Sequence, residues 1–160
     1  MKKISFLLIF SIIVITIIYF NNSSSPEERY SPVTEINSSV QKVVVYKDSS
    51  CGCCASYISL LEQEGYEVET IITSNMSSIK EKYKIPNNME SCHTSVFGDY
   101  VVEGHVPFEA INKLLREKPD IKGITLPGMP LGSPGMSGTK KEPFTVYALA
   151  EQGTSIYWQE

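Results

Sequence analysis

Val43-Val44-Val45-Tyr46-Lys47-Asp48-Ser49-Ser50-Cys51-Gly52-Cys53-Cys54-Ala55-Ser56-Tyr57-Ile58 is the stretch whose reading decides the fold. Its first four residues form a short, mostly β-branched apolar run that suits a strand buried on both faces. Asp48-Ser49-Ser50 then offers turn and N-cap chemistry. From Cys54 the apolar residues recur as Cys54, Tyr57, Ile58 and Leu61, at i, i+3, i+4 and i+7, which is one face of a helix closed by Gly65. Three of the four cysteines therefore sit where a strand hands over to a helix, and the fourth, Cys92, stands beside His93.

Working outward, Tyr66, Val68, Thr70 and Ile72 alternate with Glu67, Glu69 and Ile71 and read as a second strand. Met76, Ile79 and Tyr83 mark a second helix face, with Ser78 and Glu81 at capping-box spacing and Pro86 just beyond the end. Cys92–Phe97, the turn Gly98-Asp99 and Tyr100–Glu103 read as a hairpin. Pro107 opens a third helix with Phe108, Ile111, Leu114 and Leu115 on its apolar face, and Lys118-Pro119 ends it. Residues 123–138, rich in Gly and Pro, read as one long loop carrying Pro-Gly-Met twice, at 127–129 and 134–136. Phe144–Leu149 and Thr154–Trp158 form a C-terminal β-hairpin. The order strand, helix, strand, helix, hairpin, helix, with cysteines opening the first helix, resembles the thioredoxin-like α/β fold. In that fold the loop before the third strand, here between Pro86 and Cys92, faces the cysteine motif and would carry Cys92 or His93 to Cys51 and Cys54.

The N-terminus has a different character. Lys2-Lys3 precede an apolar run from Ile4 to Phe20 that is long for a signal-peptide core and near the lower limit for a membrane span. We read residues 1–20 as an uncleaved signal anchor, with a cleaved signal peptide as the alternative. The lysines place that end in the cytoplasm and the remainder outside. Residues 21–39, rich in Asn, Ser, Pro and Glu, read as a polar linker, and residues 40–160 as a single domain. The chain carries a formal charge of −4, which becomes −6 without Lys2 and Lys3. That balance argues against nucleic acid as a partner, which needs a basic face.

Outside the cytoplasm four cysteines usually mean two disulfides. A Cys53–Cys54 bridge would close a strained ring. A Cys51–Cys54 bridge has C-x-x-C spacing and leaves Cys53 and Cys92, which pair only if the fold joins them. Cysteines at a helix N-terminus favour thiolate, which is both metal ligand and nucleophile. Four thiols exceed what a dithiol exchange enzyme needs and suit a metal site better. Three within four residues diverge too much to bind one tetrahedral ion, a difficulty relieved if sulfurs bridge several Cu(I) ions. Cys54 also fits as a plain packing residue on the apolar helix face. Strand alternation from Cys92 puts Cys92 and His93 on opposite faces. Sulfur matching selects Cys92 for the site, and His93 is then either a secondary metal ligand or a residue behind the ligands or on the surface. His105, just before a helix, is a candidate nitrogen ligand. Met129 and Met136 either plug the loop onto the core or supply thioether ligands, which would point to Cu(I) rather than zinc.

Cys51-Gly-Cys-Cys54, Ser91-Cys-His-Thr94, Glu103-Gly-His-Val-Pro107 and Pro127-Gly-Met-Pro-Leu-Gly-Ser-Pro-Gly-Met136 together resemble the CopG-type copper-resistance and metal-binding family, catalogued as a domain of unknown function. The resemblance runs from about Val43 to Trp158. It implies a thioredoxin-like fold, an extracytoplasmic location and copper handling through the cysteine cluster as a multinuclear, redox-active Cu(I) centre. Carried over, Cys51, Cys53, Cys54 and Cys92 would hold copper, with His105, Met129 and Met136 as further candidates. Tyr57 departs from the tryptophan frequent in the family, a packing change. The reading is a membrane-tethered copper-binding protein for copper tolerance that holds more than one ion and serves a protein partner in copper export or transfer. A thiol–disulfide oxidoreductase using Cys51 and Cys54, and a structural zinc domain that binds a partner, are the alternatives.

Because the apolar run shares no pattern with the domain, a chain starting near Val40 is expected to stay in solution and unfold cooperatively. A urea titration followed by tryptophan fluorescence checks this, and aggregation or a broad, non-cooperative transition would contradict it.

Overall fold

The computed structural model describes residues 41–160, so the proposed anchor and linker lie outside the described residues. The elements are β1 (Lys42–Lys47), α1 (Gly52–Gln63), β2 (Glu67–Ile72), α2 (Met76–Lys82), a 3-10 turn (Asn87–Met89), β3 (His93–Phe97), β4 (Tyr100–Glu103), α3 (Phe108–Glu117), β5 (Gly123–Thr125), β6 (Thr145–Ala150) and β7 (Gly153–Gln159). They build a mixed α/β domain around one seven-stranded sheet, in the order β2-β1-β3-β4-β5-β6-β7. β1 runs parallel to β2 and β4 parallel to β5, and the remaining pairs are antiparallel. Each parallel pair is joined through a helix, as a parallel connection requires: α1 links β1 to β2, and α3 links β4 to β5.

The core follows from the periodicities. Tyr57 and Leu61 of α1 and Ala110, Ile111 and Leu114 of α3 pack with Val43, Val45, Phe97, Val102, Ile124 and Val146 on one face of the sheet. Val101, one residue from Val102 and so on the other face, joins Ile85, Leu149, Tyr83 and Met89 in a smaller cluster. Full burial of each large aliphatic side chain contributes about 1.5–3 kcal/mol, so the α1–sheet–α3 layer dominates. It also fixes the N-terminus of α1 against the ends of β1 and β3.

Several local features differ from the sequence reading. β1 is buried along one face only, through Val43, Val45 and Lys47, while Val44 and Tyr46 are half-buried. Asp48 makes a turn rather than a cap: its carboxylate accepts the Ser50 N–H at 2.8 Å and the Ser50 hydroxyl at 2.6 Å. The N-cap of α1 is Cys51, with no side-chain hydrogen bond to the first turn. In α2 the cap is Asn75, whose side chain accepts the Ser78 N–H at 3.1 Å, in place of a Ser78–Glu81 box. Residues 123–138 are not all loop, because Gly123–Thr125 is the fully buried strand β5. The glycine that read as a breaker is there for close approach: a Cβ at Gly123 would lie 1.8 Å from the Val101 carbonyl oxygen. The C-terminal hairpin extends the same sheet, with an irregularity between Val146 and Tyr147.

Gly123→Ala is therefore expected to push β5 from β4. The cost is about 3 kcal/mol or more, in the range of severe backbone and packing lesions. Denaturant unfolding measures it, and a change under about 0.5 kcal/mol, as for a neutral surface site, would contradict the close approach.

Candidate metal centre

The handover from β1 to α1 places Cys51 at the helix N-cap and Cys53 and Cys54 in the first turn. Cys51 and Cys54 are joined by a disulfide, and Cys53 and Cys92 are free thiols. Cys54 is fully buried, whereas Cys51, Cys53 and Cys92 are partly exposed. Cys53 Sγ lies 3.5 Å from Cys51 Sγ. Cys92, 38 residues on from Cys54, brings its Sγ to 3.5 Å from Cys54 Sγ. The four sulfurs all lie within 4.8 Å of one another.

Two histidines close the inner side of the cluster. Both are buried completely. His105 Nδ1 lies 2.7 Å from the Pro134 carbonyl oxygen. A carbonyl only accepts, so Nδ1 carries the proton and Nε2 presents a lone pair to Cys92 Sγ at 3.0 Å. The Cys92 thiol hydrogen is thus spent on His105. His93 Nδ1, 3.4 Å from Cys92 Sγ, is left to donate to that sulfur, and its Nε2 is a buried atom without a partner. Cys54, Cys92, His93 and His105 form a second set of ligand atoms within 4.8 Å. The expectation that only one of Cys92 and His93 faces the cluster does not hold. Cys92 precedes β3 in a bend, so strand alternation does not apply across this pair.

Burial sets the electrostatics. It pushes the Cys92 thiol up to about 12, with Cys53 adding to the effect. It lowers the His93 imidazole to about 3, helped by His105, Lys80 and Lys47, and it lowers His105 in the same direction against the Pro134 hydrogen bond. Burial thus favours a neutral Cys92 thiol beside two neutral imidazoles, and a cation would favour the Cys92 thiolate.

The Pro/Gly/Met loop packs against this centre. Besides the Pro134 bond to His105, Gly135 approaches α1 so closely that a Cβ would lie 2.7 Å from the Tyr57 backbone nitrogen, and its φ is +78°. Met136, next in the chain, is half-buried, while Met129 is 55% exposed. Tyr57, read from sequence as packing, does more. Its ring centroid lies 4.7 Å from that of His93 and 5.4 Å from that of His105, and its hydroxyl donates to the Val106 carbonyl at 2.9 Å. The sequence reading also passed over Ser91, Glu103 and Lys80, though Ser91 and Glu103 stand inside the quoted motifs.

Residues 89–136 match a family described as protein of unknown function, DUF411. Two solved structures titled copper resistance protein CopG, form 2 and form 1, superimpose with TM-scores of 0.70 and 0.69. Each is 39% identical over 75% of this chain, covering 98% and 97% of its own chain respectively. No curated protein matches.

The buried histidine makes stability depend on pH. His93 sits at about 3 in the fold against an ordinary 6.5, so between those values the unfolded chain binds a proton that the fold does not. Stability therefore falls as pH drops through that window, by up to about 1.4 kcal/mol per pH unit. Between pH 7 and 5 the metal-free protein is expected to lose about 2 kcal/mol more than His93→Leu in urea melts. Equal losses would show that His93 is not held neutral.

Proposed function

This chain belongs to the CopG-type copper-resistance family, and we propose that it binds Cu(I) outside the cytoplasm, in service of copper tolerance, through Cys51, Cys53, Cys54 and Cys92. The observation that carries the reading is the convergence of the four sulfurs within 4.8 Å, with Cys92 arriving from a separate loop. Thiolate sulfur and imidazole nitrogen suit Cu(I), and thiolates select it over harder ions. Cys51 and Cys54 serve only after their disulfide takes up two electrons and two protons, so reduction precedes full loading.

The overlap of the two ligand sets supports a count of more than one ion per chain. Cys54 and Cys92 belong to both, so their sulfurs would bridge an outer, all-sulfur position and an inner position completed by His93 and His105. His105 is prepared for this, because its Nδ1 hydrogen bond to Pro134 orients the Nε2 lone pair. Met136, beside the loop contact with α1, is the better placed thioether, and exposed Met129 would lie at the entrance. We take the fold to be thioredoxin-like: β1-α1-β2-α2-β3-β4-α3 forms a sheet ordered β2-β1-β3-β4 with β3 antiparallel to its neighbours. Residues 4–20 would tether the domain to the membrane, where a protein partner in copper export or transfer would meet it.

One observation favours a second reading. A Cys51–Cys54 disulfide at the start of a helix is the arrangement of a thiol–disulfide oxidoreductase. Anaerobic titration of the reduced protein with Cu(I), in the presence of competing Zn(II), separates the readings. Wild type is expected to take up more than one Cu(I), and Cys92→Ser to lower both the count and the affinity. A count unchanged in Cys92→Ser, or rapid insulin reduction abolished by Cys51→Ser with no copper uptake, would overturn the copper reading.

A further inference from the structure

Beside the cluster lies a buried ion pair that copper binding leaves unused. Lys80 of α2 is 5% exposed, Glu103 at the end of β4 is 0% exposed, and their charged groups meet directly. Burial pushes the Glu103 carboxyl up, while the Lys80 ammonium and two hydrogen bonds pull it back. Such a pair is a poor source of stability, since apolar residues of similar volume often serve as well or better. Its contacts indicate what it holds. Glu103 Oε1 accepts the Ser91 backbone N–H at 2.7 Å, and Lys80 Nζ donates to the Ser91 carbonyl at 2.8 Å. The Thr94 hydroxyl donates to Glu103 Oε2 at 2.6 Å and fixes the carboxylate from the other side. Both backbone polar groups of the residue before Cys92 are therefore gripped by one ion pair.

That grip matters because no strand ladder holds Cys92. β3 begins at His93, and Ser91 has only an isolated bridge to Gly128. Glu103 also lies two residues before His105, and the intervening Gly104 N–H donates to the His93 carbonyl at 3.0 Å. One pair thus sits between the backbone segments that carry Cys92, His93 and His105.

We infer that Lys80 and Glu103 are positioning residues that set the Cys92 sulfur against Cys54 and His105 by clamping the Ser91 peptide. The use of that placement rests on the copper-binding reading, but the placement itself is a property of the metal-free thiols. The test variant is Lys80→Met with Glu103→Leu, which removes both charges and strands neither. In the oxidised protein Cys53 and Cys92 are the free thiols, so alkylation followed by peptide mass spectrometry compares them within one molecule. Cys92 is expected to react roughly tenfold faster relative to Cys53 in the double variant, the effect of losing about one hydrogen bond's worth of restraint. Cu(I) affinity, read by chelator competition, should fall by a similar factor. Lys80→Met with Glu103→Gln keeps an acceptor for the Ser91 N–H and should give an intermediate ratio, and it carries the test if the first variant does not fold. A ratio equal to wild type in a folded variant overturns the inference. If wild type takes up no copper, the copper reading fails while the alkylation ratio still decides this one.

Discussion

Everything in the site depends on a contact of 3.5 Å between two sulfurs that the chain holds far apart, Cys54 on the first turn of α1 and Cys92 before β3. The contact needs two independent placements. α1 must start where β1 ends, which the burial of Tyr57 and Leu61 against Val43 and Val45 secures. The 87–92 segment must lie along the end of the sheet, with little regular structure of its own beyond one 3-10 turn. Polar bonds secure it instead: Thr125 Oγ1 donates to the Met89 carbonyl at 2.7 Å, Gly128 N–H donates to the Glu90 carbonyl at 2.9 Å, and Ser91 Oγ donates to the Gly128 carbonyl. Hydrophobic burial places one half of the site, and a set of partly exposed polar bonds places the other.

How much was legible in the sequence follows this division. Elements with a clear period were read correctly in type and close to their bounds, because apolar periodicity reports burial directly. α1, α3 and the two hairpins are of this kind. β5 was missed because its three residues are too few to carry a period and because Gly123 is a close-approach residue that looks like a turn. The cap of α2 was misplaced by three residues: Asn75 and Ser78 are both capping residues, and spacing alone does not say which side chain turns inward. Cys92 and His93 were assigned to opposite faces on the assumption that the strand already runs at Cys92.

The site separates in the same way. The cysteines announced themselves by chemistry, and the motif positions brought Cys92 toward them. The roles of Tyr57, Glu103 and Lys80 were not legible, because each depends on a contact across elements. Nothing local marks a lysine in a seven-residue helix as one of the most buried charges in the domain. One signal was available in hindsight: Glu103 lies on a strand whose other residues are Tyr100, Val101 and Val102, so an acidic residue there had to be either a strand end or a buried partner.

The metal-free centre is expensive in a specific sense. His93 keeps a ring nitrogen buried without a partner, Cys92 holds its proton far above the ordinary thiol range, and two imidazoles are kept neutral side by side. A fold selected only for stability would replace such groups with apolar ones, since an unsatisfied buried polar atom costs about 1–3 kcal/mol. Their persistence together, on one side of the sulfur cluster, is what a site built for a cation would look like before loading. Positive charge near the sulfurs would stabilise the Cys92 thiolate that burial disfavours. Loading would then stabilise the fold by RT ln(1 + L/Kd), with L the ligand concentration, a gain that rises with the logarithm of L. The cost of burying these groups would thereby be offset in the state that holds an ion.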